Sequence, residues 1–183
     1  MLVNLRAFLA VVFDIVRLKG GPENLPASTS LLTIVVAVFA ALTSLVLAHV
    51  ATPEQAQRWP VEIVVGIAGT MLFFRWVLHL AKKSERFVQT MTALFAVRTV
   101  FTPVVLPMAA AVHGQLEASQ SAPAALALIA AALGIWLLVV EVRIIRSAFE
   151  WPTAGALGLV MAQNFVVLVV FALALAALGV KPT

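Results

Sequence analysis

The chain has 183 residues, of which 63% are hydrophobic and 11% are charged, with twelve Lys and Arg against eight Asp and Glu. A water-soluble domain of this length has too little interior for so many apolar side chains, and a disordered chain contains far fewer of them. The composition excludes both classes and predicts an all-α protein that crosses a membrane several times.

The first segment, residues 1–30, predicts an amphipathic helix followed by a linker. The polar residues between Asn4 and Arg17 fall on one side of a helical wheel, which is typical of a helix lying in the membrane interface. Packing of this helix on the rest of the protein is an equal alternative. The sequence Gly20-Gly21-Pro22 predicts its end.

The remainder, residues 31–183, predicts a bundle of five transmembrane helices at about 31–50, 61–81, 87–112, 123–146 and 153–178. Each apolar run reaches the ~20 residues that are needed to cross ~30 Å of hydrocarbon. The alternating polarity of membrane β-strands is not seen in any of them.

The basic residues predict the orientation. Nine of them lie on the side of the N terminus and two on the opposite side, which the positive-inside rule interprets as a cytoplasmic N terminus and a periplasmic C terminus in a bacterial inner membrane. Part of this group is expected to contact anionic lipids of the cytoplasmic leaflet, although setting the topology is a sufficient role for it. These residues are Lys82, Lys83, Arg86, Arg143 and Arg146. Because the bases stand in small groups at segment ends, nucleic-acid binding is not expected.

Polar residues inside the spans are the candidates for a functional site. Arg98, Gln163 and Asn164 lie at similar predicted depths, so we expect a polar cluster between the third and fifth spans. An ion pair of Arg75 with Glu141, between the second and fourth spans, is geometrically allowed. Both sets can equally serve only to hold helices together.

Two prolines, Pro103 and Pro107, predict a kink in the third span and freed backbone carbonyl groups. The histidines have no ligand spacing, so no metal site is expected, and the absence of cysteine excludes a thiolate site. The spans lack the residue combinations of intramembrane hydrolases and a phosphate-binding loop, so we expect neither an enzyme nor a cofactor.

The sequence resembles the bacterial branch of the Yip (Ypt/Rab-interacting protein) membrane family. The resemblance rests on the stretch SERFVQTMTAL at 84–94, which leads into the third span, and on GGPENLPAS at 20–28. It implies a five-span membrane protein without catalytic residues. In eukaryotic members it implies membrane-trafficking partners and small GTPases.

These observations favour a non-enzymatic inner-membrane protein of the Yip-like type. It would act through lateral contacts with lipids, with other membrane proteins or with its own copies, in a scaffold or membrane-organisation role. The alternatives are a small transporter or channel and an accessory subunit of a larger complex. A cavity that reaches Arg98 would favour the transporter, whereas a packed interior around Arg98 would count against it.

Overall fold

The computed structural model describes residues 5–51, 58–117 and 124–179. It is 88% helical, with six helices and no strand in the part of the chain described. The helices are α1 (Leu5–Val16), α2 (Thr29–Val50), α3 (Trp59–Leu80), α4 (Phe87–Glu117), α5 (Ala124–Phe149) and α6 (Thr153–Ala177). The predicted all-α fold is confirmed.

Five of these helices, α2 to α6, are long and apolar enough to cross a membrane. Their bounds follow the predicted spans closely at α2, α3 and α6, whereas α4 and α5 are longer than expected. The helix α4 continues to Glu117 instead of ending near 112, and α5 continues to Phe149 instead of 146. In this last turn of α5, Ala148 and Phe149 are buried against the bundle.

The helix α4 lies at the centre of the bundle. It packs most extensively on α2 and then on α5, while α3 packs mainly on α6. We call the side that carries α1, the α3–α4 connection and the α5–α6 connection the amino-terminal side. The two connections are held together there, since Lys83 and Arg86 both contact Glu150.

The hydrophobic core is concentrated toward the amino-terminal side. The large side chains that are at most 1% exposed include Phe74, Leu78, Met91, Leu94, Phe95, Ile144, Ile145 and Phe149. All of them lie in the halves of α3, α4 and α5 that adjoin this side. The bundle is therefore tightly packed at one end, and its other half holds fewer buried residues.

The helix α1 packs on the bundle and also exposes an apolar face. Val12 and Ile15 are buried, whereas Leu5, Leu9 and Phe13 are exposed on another face. The Trp136 indole of α5 donates a hydrogen bond to a backbone carbonyl at the end of α1 (3.2 Å). Packing on the rest of the protein, one of the two alternatives, thus applies to one face of α1. The exposed apolar face is suited to contact with lipid.

The end of α1 differs from the prediction of a stop at the glycines. The helix ends at Val16, and Leu18 has the left-handed φ of 61°. The Lys19 amide then donates to the Asp14 carbonyl (2.7 Å), which closes a Schellman-type turn. A left-handed leucine costs energy, which the packing of Leu18 against the core offsets.

The two prolines from which a kink is predicted lie within one continuous helix. Pro103 and Pro107 are both inside α4, which continues as a helix past each of them. Because proline has no N–H, each removes one backbone hydrogen bond to the residue four positions earlier, here Thr99 and Pro103. The freed carbonyl group of Thr99 lies next to Arg98 in the chain, near the middle of α4, and that of Pro103 lies one turn farther from the amino-terminal side.

Candidate functional site

An ion pair joins two helices inside the bundle. The Nε of Arg98 on α4 donates to Oε1 of Glu141 on α5 over 2.7 Å. The side chains are 17% and 7% exposed, respectively. Because isolated charges are costly inside a membrane, each residue removes much of the penalty that the other would carry alone.

Two further side chains complete this cluster. The Nη1 of Arg98 lies 3.4 Å from Oγ1 of Thr70, and its Nη2 lies 3.4 Å from Oε1 of Gln163. The amide of Gln163 donates to the Thr70 hydroxyl (3.1 Å), and both residues are almost fully buried. The Arg98 cluster, formed by Thr70, Arg98, Glu141 and Gln163, thus links α3, α4, α5 and α6.

The cluster predicted from the sequence is present in part. The structure brings Arg98 and Gln163 together, but the Asn164 amide donates to the Val160 carbonyl within its own helix (3.0 Å). Consecutive residues on a helix point about 100° apart, so only one of these two amides can face Arg98. Asn164 lies beside the cluster without joining it.

The predicted Arg75–Glu141 pair was wrong, because Glu141 pairs with Arg98. Arg98 lies ~16 Å along α4 from Phe87, and Glu141 lies ~12 Å along α5 from Phe149, a difference that an arginine side chain spans. The prediction placed Glu141 too close to the membrane edge, since it ended the helix at 146. In addition, α3 packs on α6 and α2, so α5 is not its principal neighbour.

Arg75 lies on the exposed face of α3. Its guanidinium carbon is 5.8 Å from the ring centre of Phe87, a cation–π contact. The neighbouring Leu72 and Trp76 are 66% and 63% exposed, so this face is directed away from the bundle. Arg75 therefore belongs to the surface near the amino-terminal side.

Sequence reasoning missed Thr70. The spacing of four residues between Thr70, Phe74 and Leu78 could have indicated it. This spacing places Thr70 on the same face of α3 as Phe74 and Leu78, both of which are buried. A threonine on the core-facing stripe of a membrane helix needs a hydrogen-bond partner, and the depth of Thr70 is close to that of Arg98.

A cavity of about 540 Å³ adjoins the cluster and extends toward the side opposite the amino-terminal side. We call it the upper cavity. Its walls are mainly apolar and come from all five long helices, including Phe39, Leu47, Ile67, Phe101, Val105, Leu137, Val167 and Phe171. Arg98, Glu141 and Asn164 line its end within the bundle, and Glu62 lines it near the start of α3.

A further polar group in the upper cavity is unsatisfied. The hydroxyl of Thr43 on α2 is buried and has no hydrogen-bond partner among the described residues, while Thr43 as a whole is 8% exposed. A buried hydroxyl without a partner costs about 1–3 kcal/mol. A water molecule or a bound polar group in the cavity would remove that penalty.

Glycines keep part of the cavity wall open. A Cβ atom added at Gly66 or Gly134 would meet no atom within 4 Å, and both residues line the upper cavity. In contrast, a Cβ at Gly69, one turn along α3 from Gly66, would come 3.0 Å from a methyl group of Val167. The wall is therefore open at Gly66 and closely packed at Gly69.

The five basic residues predicted to contact lipid fall into two groups. Lys83 and Arg86 are bound to Glu150 and to backbone carbonyls at the end of α5, including that of Phe149 (2.9 Å). Arg86 also donates to the carbonyls of Ser147 and Ala148. They satisfy acceptors that a helix end leaves free. Lys82, Arg143 and Arg146 are exposed.

The structure places His49 and His79 near the ends of their helices, apart from the Arg98 cluster. The Nδ1 of His49 lies 2.8 Å from the Leu45 carbonyl of its own helix. Among the described residues, no three His, Asp or Glu side chains come close enough to hold a metal ion. The side chain of His113 lies outside the described residues.

No protein-family model, curated protein or solved structure matches this chain. The resemblance to the Yip family therefore stays a prediction.

Proposed function

We propose that this integral membrane protein is not an enzyme and binds a small amphipathic molecule in the upper cavity. The molecule has one neutral polar group that accepts hydrogen bonds and an apolar body that is uncharged or cationic. The observation that carries the proposal is the cavity of about 540 Å³ that ends at the buried Arg98–Glu141 pair. Its volume falls within the roughly 300–1,000 Å³ of small-molecule sites, and its apolar walls with a few convergent polar groups are typical of them.

The polar end of the molecule is assigned to the Arg98 cluster. Three of the Arg98 nitrogens make contacts, but those of Nη1 and Nη2 are long, at 3.4 Å. A guanidinium has five N–H donors, so donor capacity remains for a ligand. The unpartnered Thr43 hydroxyl supplies a further hydrogen bond.

The charge preference follows from the cavity lining. Arg98 and Glu141 balance one another, and Glu62 adds one formal negative charge. An anionic group would therefore be disfavoured. A charge roughly 10 Å away in an effective dielectric of about 20 contributes ~1.5 kcal/mol, in favour of a cation and against an anion. Two ions of equal shape should therefore differ by ~3 kcal/mol, which is on the order of 100-fold in affinity.

A pair of hydrophobic ions of equal shape tests this proposal. Binding of tetraphenylphosphonium and tetraphenylborate to the purified protein in detergent is measured by titration calorimetry, with empty micelles subtracted. We expect the cation to bind on the order of 100-fold more tightly than the anion, and Glu62→Gln to reduce that preference.

Filling the cavity provides the matched control. Gly134→Leu places a side chain in the cavity and should abolish binding, whereas Gly158→Leu has equally open space but lies outside the cavity lining and should not. Equal binding to both variants, or tighter binding of the anion, would contradict the proposal.

Transport of the bound molecule is the second candidate, favoured by the one-sided shape of the upper cavity. The cavity extends away from the amino-terminal side, where Phe74, Phe95 and Ile145 are fully packed. Passage would require that core to open. Uptake of labelled tetraphenylphosphonium into proteoliposomes tests this candidate. Uptake by the native protein that is lost in Gly134→Leu would support transport. Binding without uptake would restrict the protein to a binding role.

The Yip-like role in lateral contacts is compatible with such a binding protein. It is supported by the exposed apolar helices and by the sequence resemblance. Mild-detergent purification followed by identification of co-purifying proteins and lipids tests it, because a lateral partner or subunit should appear in stoichiometric amount.

A further inference from the structure

A second cavity, of about 750 Å³, lies on the amino-terminal side. We call it the basic cleft. It is formed by the segment after α1, the first turns of α4 and the end of α5, and it is separated from the upper cavity by the packed core. Its lining is mainly polar, whereas that of the upper cavity is mainly apolar.

Positive charge predominates in the basic cleft. Lys19, Arg86, Arg143 and Arg146 line it, against two acidic residues, Glu23 and Glu150. Glu150 is already bound to Lys83 and Arg86. Within the described ranges, no carboxylate lies within ion-pair distance of Lys19, Arg143 or Arg146, which leaves these charges available to a ligand.

The two arginines of α5 are suited to one anion. Arg143 and Arg146 are three residues apart, so they lie on the same face of the helix. Both are exposed, and both line the cleft. A guanidinium donates two parallel hydrogen bonds to phosphate oxygens, which makes such a pair an effective phosphate-binding group.

The opposite wall of the cleft is fixed in place by hydrogen bonds. The Gln89 amide donates to the Leu25 carbonyl (2.7 Å), and the Ser147 hydroxyl donates to Glu23 (2.7 Å). Gly20 and Gly21 contribute backbone without side chains, and a Cβ at Gly21 would overlap the carboxylate of Glu23. The cleft is therefore formed before any ligand binds, which lowers the entropic cost of binding.

The position of the cleft favours a lipid. It lies at the ends of membrane-spanning helices, and Trp151, which is 40% exposed, lines its edge. Tryptophan is enriched where a membrane meets water, at the depth of the lipid headgroups. We propose that the basic cleft binds the phosphate of an anionic phospholipid headgroup through Arg143 and Arg146, with Lys19 as a third basic contact.

Thermal unfolding in a neutral detergent tests the proposal. The midpoint is measured with phosphatidylglycerol, with phosphatidylcholine and with inorganic phosphate, each over a concentration series. We expect phosphatidylglycerol to raise the midpoint, and phosphatidylcholine and inorganic phosphate to have little effect. The variant Arg143→Gln/Arg146→Gln should weaken phosphatidylglycerol binding on the order of 10- to 30-fold, at about one power of ten or less per basic residue.

Lys82→Gln is the matched control, since Lys82 is exposed on the same side but does not line the cleft. It should keep the response to phosphatidylglycerol. The two arginines are exposed, so their replacement should leave the lipid-free midpoint near that of the native protein. An equal response in the arginine variant and the native protein would overturn the proposal. If inorganic phosphate raised the midpoint as much as phosphatidylglycerol, and this rise were lost in the arginine variant, the occupant would not be a lipid.

Discussion

Arg98 and Glu141 are 43 residues apart in the sequence and form a 2.7 Å ion pair between the central helix α4 and its neighbour α5. The pair lies where the packed half of the bundle meets the upper cavity. It also takes part in linking four helices, because the same arginine contacts Thr70 on α3 and Gln163 on α6.

Replacing one partner of this pair should be more damaging than replacing both. Arg98→Leu or Glu141→Leu leaves an unpaired charge in the bundle, which we expect to cost about 3 kcal/mol. The double variant removes both charges and should lie within about 1 kcal/mol of the native protein. Reversible unfolding of all three variants in mixed micelles measures these differences.

Asn164→Leu is the control for that series. Its amide is bonded within its own helix, so this change should cost less than about 1 kcal/mol. Unchanged stability in Arg98→Leu, or a double variant as unstable as the sum of the two single variants, would show that the pair does not hold the bundle.

The contact between α3 and α6 should tolerate no side chain at Gly69. Gly69→Leu would press on Val167 and should destabilise the protein by about 1–3 kcal/mol. Gly66→Leu, in open space on the same helix, should be neutral or stabilising, since leucine has the higher helix propensity. Thermal midpoints of the two variants decide this, and equal midpoints would count against the close approach of α3 and α6.

The carboxylate of Glu150 makes stability depend on pH. Hydrogen bonds from Lys83 and Arg86, together with their charges, hold the pKa of Glu150 below its ordinary value of 4.5. A lowered pKa in the folded state adds stability that is present above pH 4.5 and is lost as the pH falls through the folded pKa. Because Glu150 is exposed, we expect a small effect.

Thermal midpoints of the native protein and of Glu150→Gln between pH 7 and pH 3 test this dependence. The difference between them should be present at pH 7 and disappear in the acidic range below the ordinary pKa. Glu85→Gln removes an exposed acid of the neighbouring turn and should leave the pH profile unchanged. If the midpoints of the native protein and of Glu150→Gln still differed at the lowest pH, the role of the ion pairs would be contradicted.

The sequence was sufficient for the fold, because five long apolar runs separated by polar turns admit little except a helical bundle. The sequence also indicated that Arg98 and Gln163 lie close together, from their similar predicted depths in the membrane. Depth does not specify which helices are neighbours or which way each residue points. For that reason Glu141 was assigned to Arg75, and Asn164 could not be separated from Gln163.

The two cavities could not be predicted. A cavity is the difference between the volume enclosed by helices and the volume of the side chains that fill it, and hydrophobic runs alone do not determine that difference. Gly66 and Gly134 look the same in the sequence as Gly69, yet only Gly69 has a neighbour in contact. The basic cleft likewise depends on how the segment after α1 folds back toward α5.

The upper cavity is the feature on which the functional account depends, and labelling of single cysteines tests it most directly, since the chain contains no cysteine of its own. Leu137 lines the cavity, whereas Ile135 lies on the outer face of the same helix and is 62% exposed. Because that face is directed toward lipid, Ile135→Cys is the control that a water-soluble reagent should not reach. In proteoliposomes, a membrane-impermeant cationic thiol reagent should modify Leu137→Cys from the side opposite α1, and Gly134→Leu should slow that reaction. If Leu137→Cys is as unreactive as Ile135→Cys, the cavity is closed to solutes and the account is contradicted.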